Sequence, residues 1–335
     1  MSTYYTSKYS GEQIDEAVKK IMDGEMTGDY ADRQLSNLDT PQGALANLGA
    51  GVRPNLLINP FFEVNQRGQT SYTGIVPAFD MWRLNSTTMT VTAQDEGISI
   101  SGQGFDYLKE YLENPERFNG KTLTVSALVK NPNGQFRLNL YNETKNAQNV
   151  GNIPASSDWT LVTKTVDNFS VADGDKVAVL LYPDGSVSGQ TATAQVAATK
   201  LEEGDTQTLA YQAEDGTWQL LPQPESDYAT QLLRCQRYFF RSTANHYFSG
   251  CMYDASNGIF LVPYSVEMRT VPAVTVKNSG TLRFYDNTAA VLTAGNISVK
   301  SADGSGIKLL VSGVSGGKAG SATITDMQFD FSAEL

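Results

Sequence analysis

Apolar residues recur along this chain in two rhythms. Near the start, Ile14, Val18, Ile21 and Met22 fall at helical spacing. They follow Ser10-Gly11-Glu12-Gln13, which has the form of a capping box: the Ser10 hydroxyl can accept from the Gln13 amide while the Gln13 side chain reaches back. Gly24 stands where a helix-ending glycine belongs. This predicts a short amphipathic helix over residues 11–23. A second is predicted over 41–48, with Thr40 as N-cap, Pro41 as first residue and Gly49 as stop. Helices this short do not persist alone in water. The stripes Ile14, Val18, Ile21 and Leu45, Leu48 have little neighbouring chain to pack on. They are expected to bury against copies of themselves or a docking surface, the remaining route being to fold back on the next domain. Residues 1–54 are therefore read as an anchor or oligomerisation segment.

From Asn55 the rhythm changes to two. Val125, Ala127 and Val129 alternate with polar neighbours, as do Phe136, Leu138 and Leu140. Further strands are expected from Trp159, over Val177–Tyr182, and around Val196 and Ala198. Turn signals separate them at Asn131-Pro132-Asn133-Gly134, Ala172-Asp173-Gly174-Asp175 and Pro183-Asp184-Gly185. One short helix is expected at Tyr107–Leu112. This domain is placed at 55–212, and residues 213–224, with two prolines, read as a linker. A helix capped by Ser226 or Asp227 is expected to run to Arg241, with Tyr228, Leu232, Cys235 and Phe239 on one face. After it, seven stretches from His246 onward read as strands. The last, Ser321–Leu335, sets Phe329, Phe331 and Ala333 against Asp330, Ser332 and Glu334, and its patterned end is expected to be paired into a sheet. The fold class is thus mainly β: a short N-terminal helical anchor, then two β-sandwich domains (55–212 and 225–335) joined by a linker and one helix.

Composition narrows the function. The 335 residues suit two domains with a small extra segment, and 40 % apolar residues can build real cores. The formal net charge is −11, with Lys and Arg totalling 25 and no basic run. That argues against a groove tracking nucleic-acid phosphates and against docking on anionic lipid. Every apolar run falls far short of the roughly 20 residues a spanning helix needs. Met1–Ser10 has no apolar signal core, so action outside a cell would require another exit, such as virion assembly and lysis. Cys235 and Cys251 fit neither a disulfide framework nor a metal spacing, and are expected to be reduced and buried. No cofactor or metal is expected: there is a single histidine, His246, read as half-packed among aromatics, and no phosphate loop or dinucleotide fingerprint. Asp173-Gly174-Asp175 reads as a turn rather than a calcium loop. Glu110, Glu113 and Glu116 read as a solvated helix face. With no catalytic constellation the chain reads as a non-enzyme, although 36 Asp and Glu leave a glycosidase-type carboxylate pair open.

Binding chemistry fares better. Sugars offer apolar C–H faces to aromatic rings and hydroxyls to Asn, Gln, Asp and Arg. The chain carries 16 Tyr, 14 Phe and 3 Trp. Trp82, Tyr141 and Trp159 in the first β domain, and Tyr247, Tyr253 and Tyr285 in the second, are the candidate glycan contacts.

Three stretches carry a resemblance. Asn55-Leu-Leu-Ile-Asn-Pro-Phe-Phe62, then Asn65-Gln-Arg-Gly-Gln-Thr-Ser-Tyr72, then Phe79-Asp-Met-Trp-Arg83 resemble the opening of a domain common in tail-fibre and related receptor-binding proteins of bacteriophages and prophages. That domain is similar to carbohydrate-binding-module jelly rolls. Leu35-Ser-Asn-Leu38 and Ala44-Leu-Ala-Asn-Leu-Gly49 look like the linker that precedes fibre domains. Cys235-Gln-Arg-Tyr-Phe239 and Val266–Thr275 resemble the C-terminal domain of such proteins. The resemblance implies jelly-roll-like domains in a homotrimeric virion fibre. Such a fibre attaches to other virion proteins by its N-terminus and presents its β domains to bacterial surface glycan. Tail, head and collar positions are not separated by these motifs. A purely structural fibre or decoration protein, and a virion-borne polysaccharide depolymerase, are the competing readings. The motifs transfer no catalytic residue. Arg67 and Asp80 are expected to pair and to pin the strand beginning near Trp82.

Overall fold

The period-two segments form antiparallel ladders in a computed structural model that describes residues 51–184, 190–223, 227–243, 246–302 and 306–335. The helices expected over 11–23 and 41–48, with Ile14, Val18, Ile21, Leu45 and Leu48, lie outside the described residues.

The first sandwich is built from β1 (Ser71–Thr73), β2 (Arg83–Leu84), β3 (Thr90–Ala93), β4 (Ile98–Gln103), β5 (Leu108–Tyr111), β6 (Leu123–Asn131), β7 (Phe136–Asn142), β8 (Ala147–Ile153), β9 (Ser156–Val166), β10 (Val177–Tyr182) and β11 (Thr191–Glu203). One sheet has six strands in the order β1-β3-β4-β11-β6-β9; the other has five, β2-β5-β10-β7-β8. Inward residues of the two sheets share one core, for instance Ile98, Ile100, Val125 and Val129 against Leu138, Leu140, Val179 and Leu181. Trp82 is fully buried in it, its ring centroid 5.0 Å from that of Phe62. Asn59 organises this corner. It takes a left-handed φ of 55°, which asparagine tolerates better than most residues. Its Nδ2 donates to the carbonyls of Val64 (2.9 Å) and Asp80 (3.0 Å), and its own carbonyl accepts from Trp82 Nε1 at 3.2 Å.

The second sandwich follows α1 (Tyr228–Gln236). It comprises β14 (Phe239–Arg241), β15 (Phe248–Met252), β16 (Gly258–Pro263), β17 (Ala273–Val276), β18 (Gly280–Phe284), β19 (Ala289–Leu292), β20 (Ile297–Ala302), β21 (Gly306–Val311), β22 (Gly320–Thr325) and β23 (Phe329–Ser332). A three-stranded sheet, β14-β23-β17, accompanies a seven-stranded one, β19-β18-β22-β15-β16-β21-β20. Phe240, Phe248, Phe260, Leu282, Phe329 and Phe331 lie in their common core. Phe329, Phe331 and Ala333 face inward as the alternation requires, and the Ala333 amide donates to the Tyr238 carbonyl at 2.7 Å.

Four sequence expectations are corrected. Tyr107–Leu112 is not a helix but contains strand β5. Leu108, Glu110 and Leu112 point inward; the glutamate at an inward position concealed the alternation. Glu110 accordingly lies in no solvated face. It is 2 % exposed, its Oε1 accepts from the Ile58 amide at 2.7 Å, and burial pushes its carboxyl well above the usual range, with that bond and Arg234 opposing. Second, the helix capped by Asp227 ends at Gln236 rather than Arg241, because Phe239–Arg241 pairs with β23. Its inward residues are Gln231 and Cys235, while Tyr228 is exposed; the Gln231 side chain is buried because it accepts from the Asn59 amide at 2.9 Å. Third, the stretch read as a linker carries β13 (Trp218–Leu220), which pairs with β12 (Ala210–Gln212) in a hairpin. Leu221 and Gln223 are buried. They close over Lys200 and Glu202 of β11, both 0 % exposed and 3.8 Å apart. Lys200 Nζ donates to Thr208 Oγ1 (2.8 Å) and Gln223 Oε1 (2.7 Å), while Glu202 accepts from the Thr208 amide (2.6 Å) and hydroxyl (2.5 Å). Fourth, of the two free cysteines only Cys235 is buried; Cys251 is exposed on β15.

The Asn65-Gln66-Arg67-Gly68 and Asp80-Met81-Trp82 motifs lie at the junction of the sandwiches. Arg67 reaches Asp80 Oδ1 at 3.4 Å, as expected, and also Glu334 Oε2 at 2.7 Å, with its guanidinium 3.7 Å above the Phe239 ring. Gln66 Nε2 donates to Asp80 Oδ2 and to the Phe239 carbonyl, both at 2.6 Å. Glu113 pairs with Arg237 at 3.2 Å and accepts from the Tyr238 hydroxyl at 2.5 Å. Burial pushes the Asp80 carboxyl up to about 7; the Gln66 and Arg67 donors oppose this and Glu334 adds to it. An acid whose folded pKa is raised keeps its proton in the native state while the unfolded chain has already lost it, so stability falls as pH rises between the two values. Wild type should therefore lose stability relative to Asp80→Asn from about pH 4 to about pH 7, by up to ~1.4 kcal/mol per pH unit, and hold level above. Urea unfolding of both proteins across that range checks this, and a difference independent of pH would refute it.

Candidate functional site

Strands β5, β10 and β7 turn alternate side chains out of the five-stranded sheet, and cross-strand register sorts these into rows. In one row Tyr182 of β10 stands opposite Arg137 of β7, which faces Asn152 of β8. In the next, Leu180 lies between Lys109 and Asn139, and Lys109 faces Arg83. In the third, Ala178 lies between Tyr111 and Tyr141, with Gln148 beyond. Tyr107, Tyr111 and Tyr141 pack against Ala178, Leu180 and Tyr182, and the Tyr107 and Tyr182 rings are 5.2 Å apart. The face is aromatic at its margins with a small aliphatic floor.

Polar groups on this face are arranged but not all used. Lys109 Nζ lies 4.4 Å above the Tyr111 ring and donates to its hydroxyl at 2.5 Å; that hydroxyl donates to Glu143 at 2.7 Å. The Arg137 guanidinium lies 5.2 Å from the Tyr182 ring and 5.6 Å from that of exposed Phe105. Asn139 is 1 % exposed. Its Oδ1 accepts from the Asn149 amide at 2.9 Å, while its Nδ2, directed toward Tyr182, completes no hydrogen bond of normal geometry among the described residues. Arg137 Nε is likewise buried and unpaired. Buried donors without acceptors are uncommon in native proteins and mark places where a ligand or water supplies the missing oxygen. Burial, first, holds the Lys109 ammonium below its usual range, with Arg83 and Lys176 adding to the effect and Glu143 opposing it. Burial likewise raises the Tyr107 and Tyr182 hydroxyls, and raises that of Tyr111 with Glu143 reinforcing it.

At the β2 and β5 margin the face runs into a cavity of about 450 Å³, bordered by Arg83, Lys109, Tyr111, Lys176 and, from the second sandwich, Leu335. Its size is that of an ordinary small-ligand pocket.

Of the six aromatic residues singled out from the sequence, Tyr141 is on this face. Trp82 is a correction: its ring is wholly buried and its Nε1 is used internally, so it offers a ligand nothing. Trp159 is on the outer side of the six-stranded sheet, with Lys130 Nζ 4.4 Å over its ring. Tyr247, Tyr253 and Tyr285 are exposed on the second sandwich, at 70 %, 52 % and 67 %. His246 is exposed, stacked on Phe248. Tyr107, Tyr111 and Tyr182 were missed. The first two were hidden by the helix reading of their segment, and Tyr182 by an unbroken apolar run that conceals which residues face out. Among the described residues no group of three or more His, Cys, Asp or Glu is placed to hold a metal ion, and no helix is long and apolar enough to cross a membrane.

No protein-family model matches the chain, and no curated protein matches it. Among solved structures, the N-terminal CBM22-1-CBM22-2 tandem domain from Paenibacillus barcinonensis Xyn10C is similar over 85 % of this chain and 92 % of its own, at 10 % identity and a TM-score of 0.29. TmCBM61 in complex with beta-1,4-galactotriose is similar over 45 % of this chain and 99 % of its own, at 13 % identity and a TM-score of 0.27. A sialidase matches 37 % of this chain at 12 % identity and a TM-score of 0.27, and the chain spans 17 % of that protein's length. Likenesses at this level carry no argument about what the chain does. The two-layer antiparallel architecture rests on the ladders themselves.

Proposed function

We propose that the chain is a non-catalytic glycan-binding protein that takes its ligand on the outer face of the five-stranded sheet. The observation that carries this is the set of Tyr107, Tyr111, Tyr141 and Tyr182 around Ala178 and Leu180, with Asn139 Nδ2 directed at Tyr182 and Arg137 Nε without an acceptor among the described residues. Rings can stack on sugar C–H faces, and the Arg137 guanidinium, which already donates to Gln148 through one Nη, keeps further N–H groups for hydroxyl or carboxylate oxygens. The setting we propose is a bacteriophage virion fibre. It assembles as a homotrimer, attaches to other virion proteins through its N-terminal segment and presents this face to a bacterial surface. The Asn65-Gln66-Arg67-Gly68 and Asp80-Met81-Trp82 motifs favour this setting by resemblance; in the fold they serve the junction and the core rather than the glycan face.

The test is binding of the full-length chain to an array of bacterial surface polysaccharides, beside Arg137→Ala and Tyr141→Ala. Binding by wild type that drops at least tenfold in Arg137→Ala, with melting temperature kept, is the expected result, since a hydrogen bond from a charged donor contributes about 1.5–3 kcal/mol. Tyr141→Ala should lose a smaller factor, on the order of threefold to tenfold. Binding indifferent to both substitutions would remove this face from consideration. New reducing ends released from the polysaccharide would favour a depolymerase, and a monomer by light scattering would overturn the trimeric fibre.

A further inference from the structure

The opposite side of the first sandwich carries a second cleft, of about 620 Å³. Its floor is apolar, from Leu128 and Ala197 on the outer side of the six-stranded sheet. Phe61, Trp159 of β9 and Trp218, which the β12–β13 hairpin brings over the sheet, offer aromatic surface to it, while Phe62 and Phe79 border it from the core. The other wall is the tip of the β3–β4 hairpin. There Gly97, at φ +74°, packs so tightly that a Cβ would lie 2.0 Å from the Val196 carbonyl oxygen, so only glycine lets the tip approach β11. That tip delivers Asp95 and Glu96 to the cleft, and Glu63 joins them. None of these carboxylates has an ion-pair or hydrogen-bond partner among the described residues, and neither Lys nor Arg lines the cleft. Trp159 already has Lys130 over its ring at 4.4 Å; among the described residues no cation stands over Trp218.

Three unneutralised carboxylates beside free indole and phenyl surface call for a ligand that is flat and apolar on one side and positively charged on another. Anionic and phosphorylated sugars are repelled here. Neutral sugars gain ring contacts but leave the carboxylates without a counter-charge. A sugar bearing a free amine satisfies both, its C–H face against the rings and its ammonium among the acids, where both the carboxylates and the π-faces attract it.

We infer that the cleft between Trp159, Trp218 and Glu63, Asp95, Glu96 is a second saccharide site, selective for hexosamine units whose 2-amino group is free. It differs in charge from the face bearing Arg83, Lys109 and Arg137, and it stands whether or not that face binds glycan.

Isothermal titration of the full-length chain at pH 6, where the sugar amine is protonated, tests the inference. The probes are the β-1,4 tetramer of glucosamine, its fully N-acetylated counterpart, the glucose tetramer and tetralysine. The glucosamine tetramer should bind at least tenfold tighter than each of the others, and more weakly as salt rises. Trp218→Ala should reduce that binding at least tenfold. The Glu63→Gln/Glu96→Gln double variant, whose changes are confined to exposed side chains and leave the hairpin packing intact, should reduce it at least fivefold. Absence of glucosamine-tetramer binding would overturn the inference. So would equal binding of the acetylated or glucose tetramer, tetralysine binding as tightly, or indifference to both variants.

Discussion

Trp82→Ala is expected to destabilise the first sandwich by about 3–5 kcal/mol, the range for deleting a large buried aromatic side chain. The ring is 0 % exposed and packed against Phe62, so its removal leaves a cavity rather than a surface dent. The loss should fall in the upper part of that range for a second reason. The Trp82 indole donates to the Asn59 carbonyl beside the Phe62 amide, and Asn59 fixes the backbone at Val64 and Asp80. Truncation thus loosens the left-handed turn from which the junction motifs extend. Trp82→Phe keeps much of the volume and loses the N–H; the Asn59 carbonyl still accepts from the Phe62 amide at 3.1 Å, so this variant should forfeit only the about 0.5–1.5 kcal/mol of one hydrogen bond. Urea unfolding followed by tryptophan fluorescence or circular dichroism measures both. A loss under about 1 kcal/mol in Trp82→Ala would show that the corner collapses freely and that Asn59 does not depend on the ring.

Lys200→Met should be comparably damaging, about 3–5 kcal/mol, because it strands a buried acid without its cation. Lys200 and Glu202 are both fully enclosed under the segment that reaches Gln223. Burial already raises the Glu202 carboxyl; hydrogen bonds from Thr208 and the charge of Lys200 hold it down. Removing the lysine raises it further. The carboxyl then stays protonated in the fold at pH values where the unfolded chain ionises, so the penalty should be smallest below pH 4.5 and grow toward neutrality. Lys200→Met/Glu202→Gln should recover much of the loss at pH 7, since no buried charge remains. Equal stability of the single and double variants at pH 7 would contradict this account. The same measurement reports on the hairpin: if β12 and β13 were a mere tether, Lys200→Met would have little effect on the sandwich.

Alternation made much of this fold legible, and its failures have definite causes. Phe136, Leu138 and Leu140 announce β7, and Phe329, Phe331 and Ala333 announce β23, because one face of each is buried without interruption. Strand β5 was concealed by Glu110, a carboxyl placed where the pattern demands an apolar residue. The β12–β13 hairpin escapes the pattern because its strands are three residues each, too short to establish a period. The pairing of Arg67 with Asp80 could be read from a local motif, but not the arrival of Glu334 from 267 residues away. The candidate face was harder still. Composition shows abundant tyrosine, but only cross-strand register shows that Tyr111 and Tyr141 flank Ala178. Nor does a tryptophan reveal its side of a sheet: Trp82 points into the core and Trp159 away from it.

The unequal fates of the two cysteines have a practical side. Burial, with the charges of Asp80 and Glu110 adding to it, keeps the Cys235 thiol protonated and out of reach, whereas Cys251 faces solvent on β15. A maleimide dye or gold cluster added to the native protein therefore couples at one site, on the second sandwich, with no engineered residue. Electron micrographs or energy-transfer distances taken from that single mark would locate the second sandwich within whatever assembly carries the chain.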